Sequence, residues 1–154
     1  MGAVIKVDFS GISKLQSVIS NLDRRFSPGK NLMMSIAATL RSTTQDRFST
    51  KLTPDGKTWS SSLVKSGDLR KKLDIDANDT TAIVGSNLEY AAIHQFGGVI
   101  KPKKAKVLAF NVGGKNIFAN KVTIKANPYL GISESDEDEI AATIQDFFDE
   151  SIKA

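Results

Sequence analysis

The sequence predicts an α+β fold: an antiparallel sheet with a long hairpin, packed against N-terminal helices and a C-terminal helix. Three observations carry that expectation. Apolar residues recur at helical spacing near both ends of the chain. Strand-like segments pair through tight turns in two hairpins, at about residues 72–85 and 105–125. And 154 residues suffice for one domain with a core, so residues 1–154 are read as a single domain with a protruding hairpin at about 99–126.

In chain order, Val4, Ile5, Val7 and Phe9 alternate loosely and make residues 2–9 a short strand. Ser10 or Ser13 caps a helix in which Ile12, Leu15, Ile19 and Leu22 recur three or four apart. Phe26-Ser-Pro-Gly29 ends it, because proline disfavours a helical residue before it. A second helix follows from about Lys30 to Phe48, with Leu32, Met33, Ile36, Leu40 and Phe48 on one side and Arg41, Gln45 and Arg47 on the other.

Thr53-Pro-Asp-Gly-Lys-Thr-Trp59 is a turn: proline presets φ and Asp-Gly makes the bend. Trp59, the only tryptophan, packs this loop onto the core; an anchor at a subunit interface is its second reading. Leu63 to Leu73 reads as a loop feeding a short helix, and residues 72–85 as a hairpin turning at Asn78-Asp79. A helix over Glu89–Phe96 stops at Gly97. Strands at about 105–112 and 116–125 are joined through Gly113-Gly114, and Pro128 breaks the chain again. The last helix runs from Ser135 to Lys153, with Ser135 and Asp138 as its cap and Ile140, Ile144, Phe147 or Phe148, and Ile152 as its buried stripe.

The residues exclude most chemistry. There is no cysteine, so no disulfide framework, thiolate nucleophile or cysteine-ligated zinc. His94 is the only histidine; lying between Ile93 and Phe96 beside Gln95, it reads as a partly buried, hydrogen-bonded structural residue. Gly113-Gly114-Lys115 lacks the rest of a phosphate loop and joins two strands, so it is a hairpin turn. The acids of the last helix follow no calcium-loop spacing and read as a solvated face with a dipole-matched start. No catalytic residue, metal site or cofactor is expected, and no apolar run approaches a membrane span or a signal peptide.

Charge is the unusual feature. The net +4 hides a segregation: seven lysines and no acid from Gly97 to Ser133, then eight acids and no base from Glu134 to Glu150. Opposite charges in adjacent segments invite either an internal pairing or a head-to-tail contact between copies. Lys101, Lys103, Lys104, Lys106, Lys121 and Lys125 have three readings: a solvated surface that blunts a strand edge, a site for an acidic protein partner, or a DNA contact. DNA contact is the least favoured, because no stacking platform or reading helix accompanies them.

The order of motifs is itself informative. Pro54-Asp-Gly-Lys-Thr-Trp59, then Tyr90-Ala-Ala-Ile-His-Gln-Phe-Gly-Gly98, a lysine-rich hairpin, and Pro128-Tyr-Leu-Gly-Ile-Ser133 resemble the phage virion morphogenesis family, also called the tail completion protein S family. The resemblance spans roughly residues 45–150, with one departure: Asn127 stands where that family usually has arginine. It implies a structural protein, not an enzyme, that completes the tail at its head-proximal end and helps join it to the capsid. Its implied partners are neck or connector and tail tube proteins and further copies of itself in a ring, commonly of six. The implied location is the tail or neck of the virion, after assembly in the host cytoplasm, with no membrane. Self-association also follows from the residues, since an apolar two-stranded hairpin is marginal alone in water. The interface candidates are Trp59, Lys101, Lys103, Lys104, Lys106, Phe110, Phe118 and Tyr129. A nucleic-acid-binding module using the basic hairpin is the alternative.

Overall fold

The spine of the core is helix α1 (Lys30–Thr50). Leu32, Ile36, Leu40, Thr44 and Phe48 recur every four residues, and together with Met33, Ala37 and Arg47 they are its buried face. The helix stops at Lys51, whose left-handed backbone (φ 58°) lets its N–H return to the Arg47 carbonyl at 2.7 Å. This computed structural model describes residues 3–8, 29–60 and 67–153. The helix expected around Ile12–Leu22 and residues 61–66 lie outside the described residues.

Against α1 lies a three-stranded antiparallel sheet of β1 (Ala3–Asp8), β2 (Asp74–Ala77) and β3 (Thr81–Ser86), in the order β1-β3-β2. A short helix α2 (Asp68–Lys71) leads into β2 and buries Leu69. The β2–β3 hairpin is tied by the Asn78 side chain, whose Oδ1 accepts the N–H groups of Thr80 (2.9 Å) and Thr81 (2.8 Å). The register places Ala77 opposite Ala82 and Ile75 opposite Val84, so β3 buries Ala82 and Val84 beneath α1. Helix α3 (Ala91–Phe96) follows, starting two residues later than the sequence spacing suggested.

The last helix, α4 (Glu134–Lys153), packs along α1 through Ile140 and Ile144, with the Thr39 and Thr143 hydroxyls bonded across the seam at 2.8 Å. Its cap is Ser133, not Ser135. The Ser133 hydroxyl accepts the Asp136 N–H (3.1 Å) while the Asp136 carboxylate accepts the Ser133 N–H (2.8 Å), a reciprocal capping box two residues earlier than expected. The buried stripe also ends early: Phe147 packs on the core, but Ile152 lies in an exposed last turn at 68% accessibility.

The long hairpin is present but is not two continuous strands. β4 (Gly98–Ile100) pairs with β7 (Val122–Ile124), and β5 (Leu108–Val112) pairs with β6 (Lys115–Ala119), as two separate antiparallel ladders. Between them, residues 101–107 on one leg face only 120–121 on the other. Pro102 has no N–H to donate, and legs of such unequal length cannot keep register.

Candidate assembly surface

The arm made by β4 to β7 returns to the core through residues 127–133, a strap that runs beneath the surface. A buried strap must satisfy its backbone polar groups, and here side chains do so. Asn127 donates its N–H to the His94 carbonyl (2.8 Å), and its Oδ1 accepts the N–H (2.7 Å) and hydroxyl (2.9 Å) of Ser60. Trp59 Nε1 donates to the Pro128 carbonyl at 3.1 Å. Gln95 serves three groups at once: Oε1 accepts from the Tyr129 (3.0 Å) and Leu130 (2.9 Å) N–H groups, and Nε2 donates to the Leu130 carbonyl (3.0 Å).

Arg47 closes the strap. Its Nη1 donates to the carbonyls of Tyr129 (2.9 Å) and Gly131 (3.2 Å), and Nη2 pairs with the Asp136 carboxylate. Burial pulls the guanidinium's pKa down, and the Asp136 charge with two carbonyls is what makes a buried cation tolerable. Asp136 thus belongs to both the capping box and the ion pair. The rings of Trp59 and Tyr129 flank Phe48, edge-on at 5.2 Å and tilted at 5.5 Å. Tyr129 is fully buried, donates its hydroxyl to the Ala91 carbonyl (3.1 Å), and is held neutral by burial, which pushes its pKa up. Trp59 and Tyr129 are therefore interior residues of the protomer and offer no surface of their own.

Arg47, expected on the open side of its helix, and Asp136, expected in a solvated face, are both buried. The available signal was spacing: Arg47 falls three residues after Thr44 in the apolar series. Gln95, passed over beside the histidine, does the bonding in that motif. His94 itself is half-buried, edge-on to Tyr90 at 5.8 Å, and its Nδ1 has no hydrogen-bond partner among the described residues, contrary to expectation. Burial lowers its pKa.

The arm's foot is equally constrained. Gly97 has φ 73°, and a Cβ there would lie 2.8 Å from the Ala126 nitrogen and 2.9 Å from the Ile124 oxygen. Only glycine lets the outgoing and returning legs cross so closely. Beyond the foot, the β5–β6 blade is open. Phe110 lies opposite Ile117 and Leu108 opposite Ala119, giving one apolar face, while Phe118 lies opposite Ala109 on the other. Phe110, Ile117 and Phe118 are all exposed, Phe118 at 66%. Phe96 (72%), Val99 and Ile100 extend the exposed apolar surface to the foot.

Lys101, Lys103, Lys104 and Lys106 occur together on the connection between β4 and β5. With Lys115, Lys121 and Lys125 they are exposed, and none forms an ion pair with a described residue. Among the described residues, no group of histidine and acidic side chains could hold a metal ion. No described helix is long and apolar enough to cross a membrane.

Comparison with known proteins adds the decisive observation: the Phage virion morphogenesis family matches residues 11–149, nearly the whole chain. The chain belongs to that family. Its members are structural proteins of virion assembly, so the fold has a morphogenetic, non-enzymatic role. Two relatives are similar along much of their length. "Mu-like prophage FluMu G protein 2" of Haemophilus influenzae is 30% identical over 154 residues, covering 97% of this chain and 100% of that one. "Putative capsid assembly protein G" of Escherichia phage Mu is 30% identical over 131 residues, 71% of this chain and 73% of that one. No solved structure matches. Asn127 is buried and bonded to Ser60, and the guanidinium bound to the strap comes from Arg47.

Proposed function

We propose that this virion morphogenesis protein acts at the head-proximal end of a phage tail, completing the tail and joining it to the head, as a ring of identical copies. The observation that carries the reading is the arm: fastened to the core through the hydrogen-bonded strap, it bears an exposed apolar blade and lysines with no ion-pair partner among the described residues. Nothing within the described protomer covers that blade. A ribbon of five residue pairs is marginal in water, and a neighbouring subunit is the simplest cover. The name of the phage Mu relative speaks of capsid assembly, which is compatible with a position at the head side of the joint.

The test replaces Phe110, Ile117 and Phe118 together by serine in a phage or prophage that encodes the chain. These side chains are exposed, so the purified variant melts within a few degrees of the parent. Micrographs are then expected to show complete heads beside complete, unjoined tails. Normal joined particles would refute the role of the arm, and malformed heads would move the protein's action to the capsid.

The exposed lysines favour one second reading, a nucleic-acid-binding module. Submicromolar binding to duplex DNA at physiological salt, falling steeply as salt rises, would support it.

A further inference from the structure

A groove of about 390 Å³ lies between the C-terminal half of α1 and the start of α4. Its charged lining is Asp46, Arg47, Asp136 and Glu139, three negative and one positive, hence a net of two negative charges. Arg47 and Asp136 are paired with each other. Asp46 and Glu139 are exposed, and neither forms an ion pair with a described residue. Leu52 and Pro54 supply an apolar wall, and Thr50 and Ser135 supply hydroxyls. An apolar wall under two carboxylates suits a lysine side chain, which lays its methylene stem on apolar surface and keeps its ammonium at the polar rim.

The same chain carries the complement. We propose that the groove receives the lysine-bearing stretch Lys101–Lys106 of a second copy's arm, so that arm and groove form the head-to-tail contact between neighbours. This rests on the self-association proposed above and names the surfaces that make it. Three considerations select a second copy as the occupant. Lys101, Lys103, Lys104 and Lys106 have no ion-pair partner among the described residues of their own protomer, nor do Asp46 and Glu139, so both sets are left for a neighbour. Every copy presents one arm and one groove, two different surfaces, which is the condition for a heterologous contact that repeats around a ring. The α4 surface supplies the third. Glu139, Asp146 and Glu150 recur on one side of α4 along eleven steps, ~17 Å at about 1.5 Å each, so the bent, lysine-bearing connection would meet further carboxylates beside the groove. A row of acids of that length leads out of the groove, and its sign excludes a phosphate backbone there.

The chain has no cysteine, so engineered ones report without background. Thr50→Cys in the groove and Lys104→Cys on the arm are made in separate chains, mixed and oxidised at high protein concentration. The expected product is the mixed disulfide dimer, with little dimer from either chain alone. A chain carrying both cysteines is expected to give a ladder of multimers. Asp46→Lys with Glu139→Lys should abolish the mixed dimer and weaken self-association at least tenfold, as should Lys101, Lys103 and Lys106 changed to glutamate in the chain that carries Lys104→Cys. A chain with both sets of reversals should associate again. Self-association untouched by Asp46→Lys with Glu139→Lys would overturn this contact, as would Lys104→Cys chains that link mainly to each other, an arm-to-arm contact, or no mixed dimer at all. Failure here is read in the cross-link, whereas failure of the tail-joining role is read in particle micrographs, so the two are separable.

Discussion

Changing Asp136 to asparagine removes one charge and almost no volume from the centre of the strap. The Arg47 guanidinium remains, 7% exposed, with the carbonyls of Tyr129 and Gly131 but no counter-charge. Removing one partner of a buried ion pair typically costs about 3–5 kcal/mol, because the remaining charge is both desolvated and unpaired. That is a large share of the roughly 5–15 kcal/mol by which a domain is stable. With a urea m-value of about 2 kcal/mol per molar, the midpoint should fall by about 1.5–2.5 M.

The capping box offers an internal control. In Asp136→Asn the new side-chain amide oxygen can still accept the Ser133 N–H, so the box is only partly lost. Ser133→Ala removes the hydroxyl half of the box without touching the ion pair and should cost about 1 kcal/mol. Arg47→Met should be at least as damaging as Asp136→Asn, since it also orphans two strap carbonyls. The double variant should then be less unstable than the sum of the singles by about 2–3 kcal/mol, the part of the penalty that both share. Equal midpoints for Asp136→Asn and Ser133→Ala, or strict additivity in the cycle, would show that the pair is solvated and does not hold the strap.

Four further substitutions test the arm's attachment and the role of His94. Gln95→Ala removes three strap hydrogen bonds at about 0.5–1.5 kcal/mol each, so stability should drop by about 1.5–4.5 kcal/mol and the Tyr129 and Leu130 amides should lose protection from hydrogen exchange. Gly97→Ala combines a strained φ with backbone overlap and should cost roughly 2–4 kcal/mol in denaturant unfolding. Gly114→Ala, where φ is also positive but nothing lies within 4 Å, should cost only about 1 kcal/mol. His94 has a folded-state pKa below its unfolded one, so on acidification the unfolded chain takes up a proton first. The melting temperature should therefore fall as pH drops from about 7 towards the folded pKa, and His94→Gln should flatten that window.

What was legible in the sequence is what periodicity encodes. α1, the β2–β3 hairpin and α4 were readable because each buries one face against the core, and burial imposes a period of 3.6 or 2. The polar interior was not readable, because its logic is tertiary. Ser133 with Asp136 and Ser135 with Asp138 fit the capping pattern equally; the choice is made by Arg47, 89 residues away in sequence, which draws in the Asp136 carboxylate. The hairpin looked continuous because strand alternation persists across residues 105–125, yet continuity depends on equal legs, and the residues between β4 and β5 outnumber those between β6 and β7. Of the proposed contact residues, the four lysines and the two phenylalanines are on the open arm, whereas Trp59 and Tyr129 fasten it from inside.

That division between fastening and presenting has a physical consequence. Strap and foot are held by groups from α1, α3 and the Trp59 loop, so the direction in which the arm leaves the body is decided by the same interactions that stabilise the core. The blade has only its own five-pair ladder, and ordering a residue's backbone costs about 1–2 kcal/mol, which a two-stranded ribbon barely recovers in water. A neighbour that covers the apolar face would supply what the ladder lacks, while the fixed foot keeps the loss of freedom on docking small. In the proposed ring a copy with neighbours on both sides would be held by two such contacts, against one in a pair free in solution. Under the proposed assembly, the chain would stay largely unassembled until a surface collects enough copies to cover one another's blades.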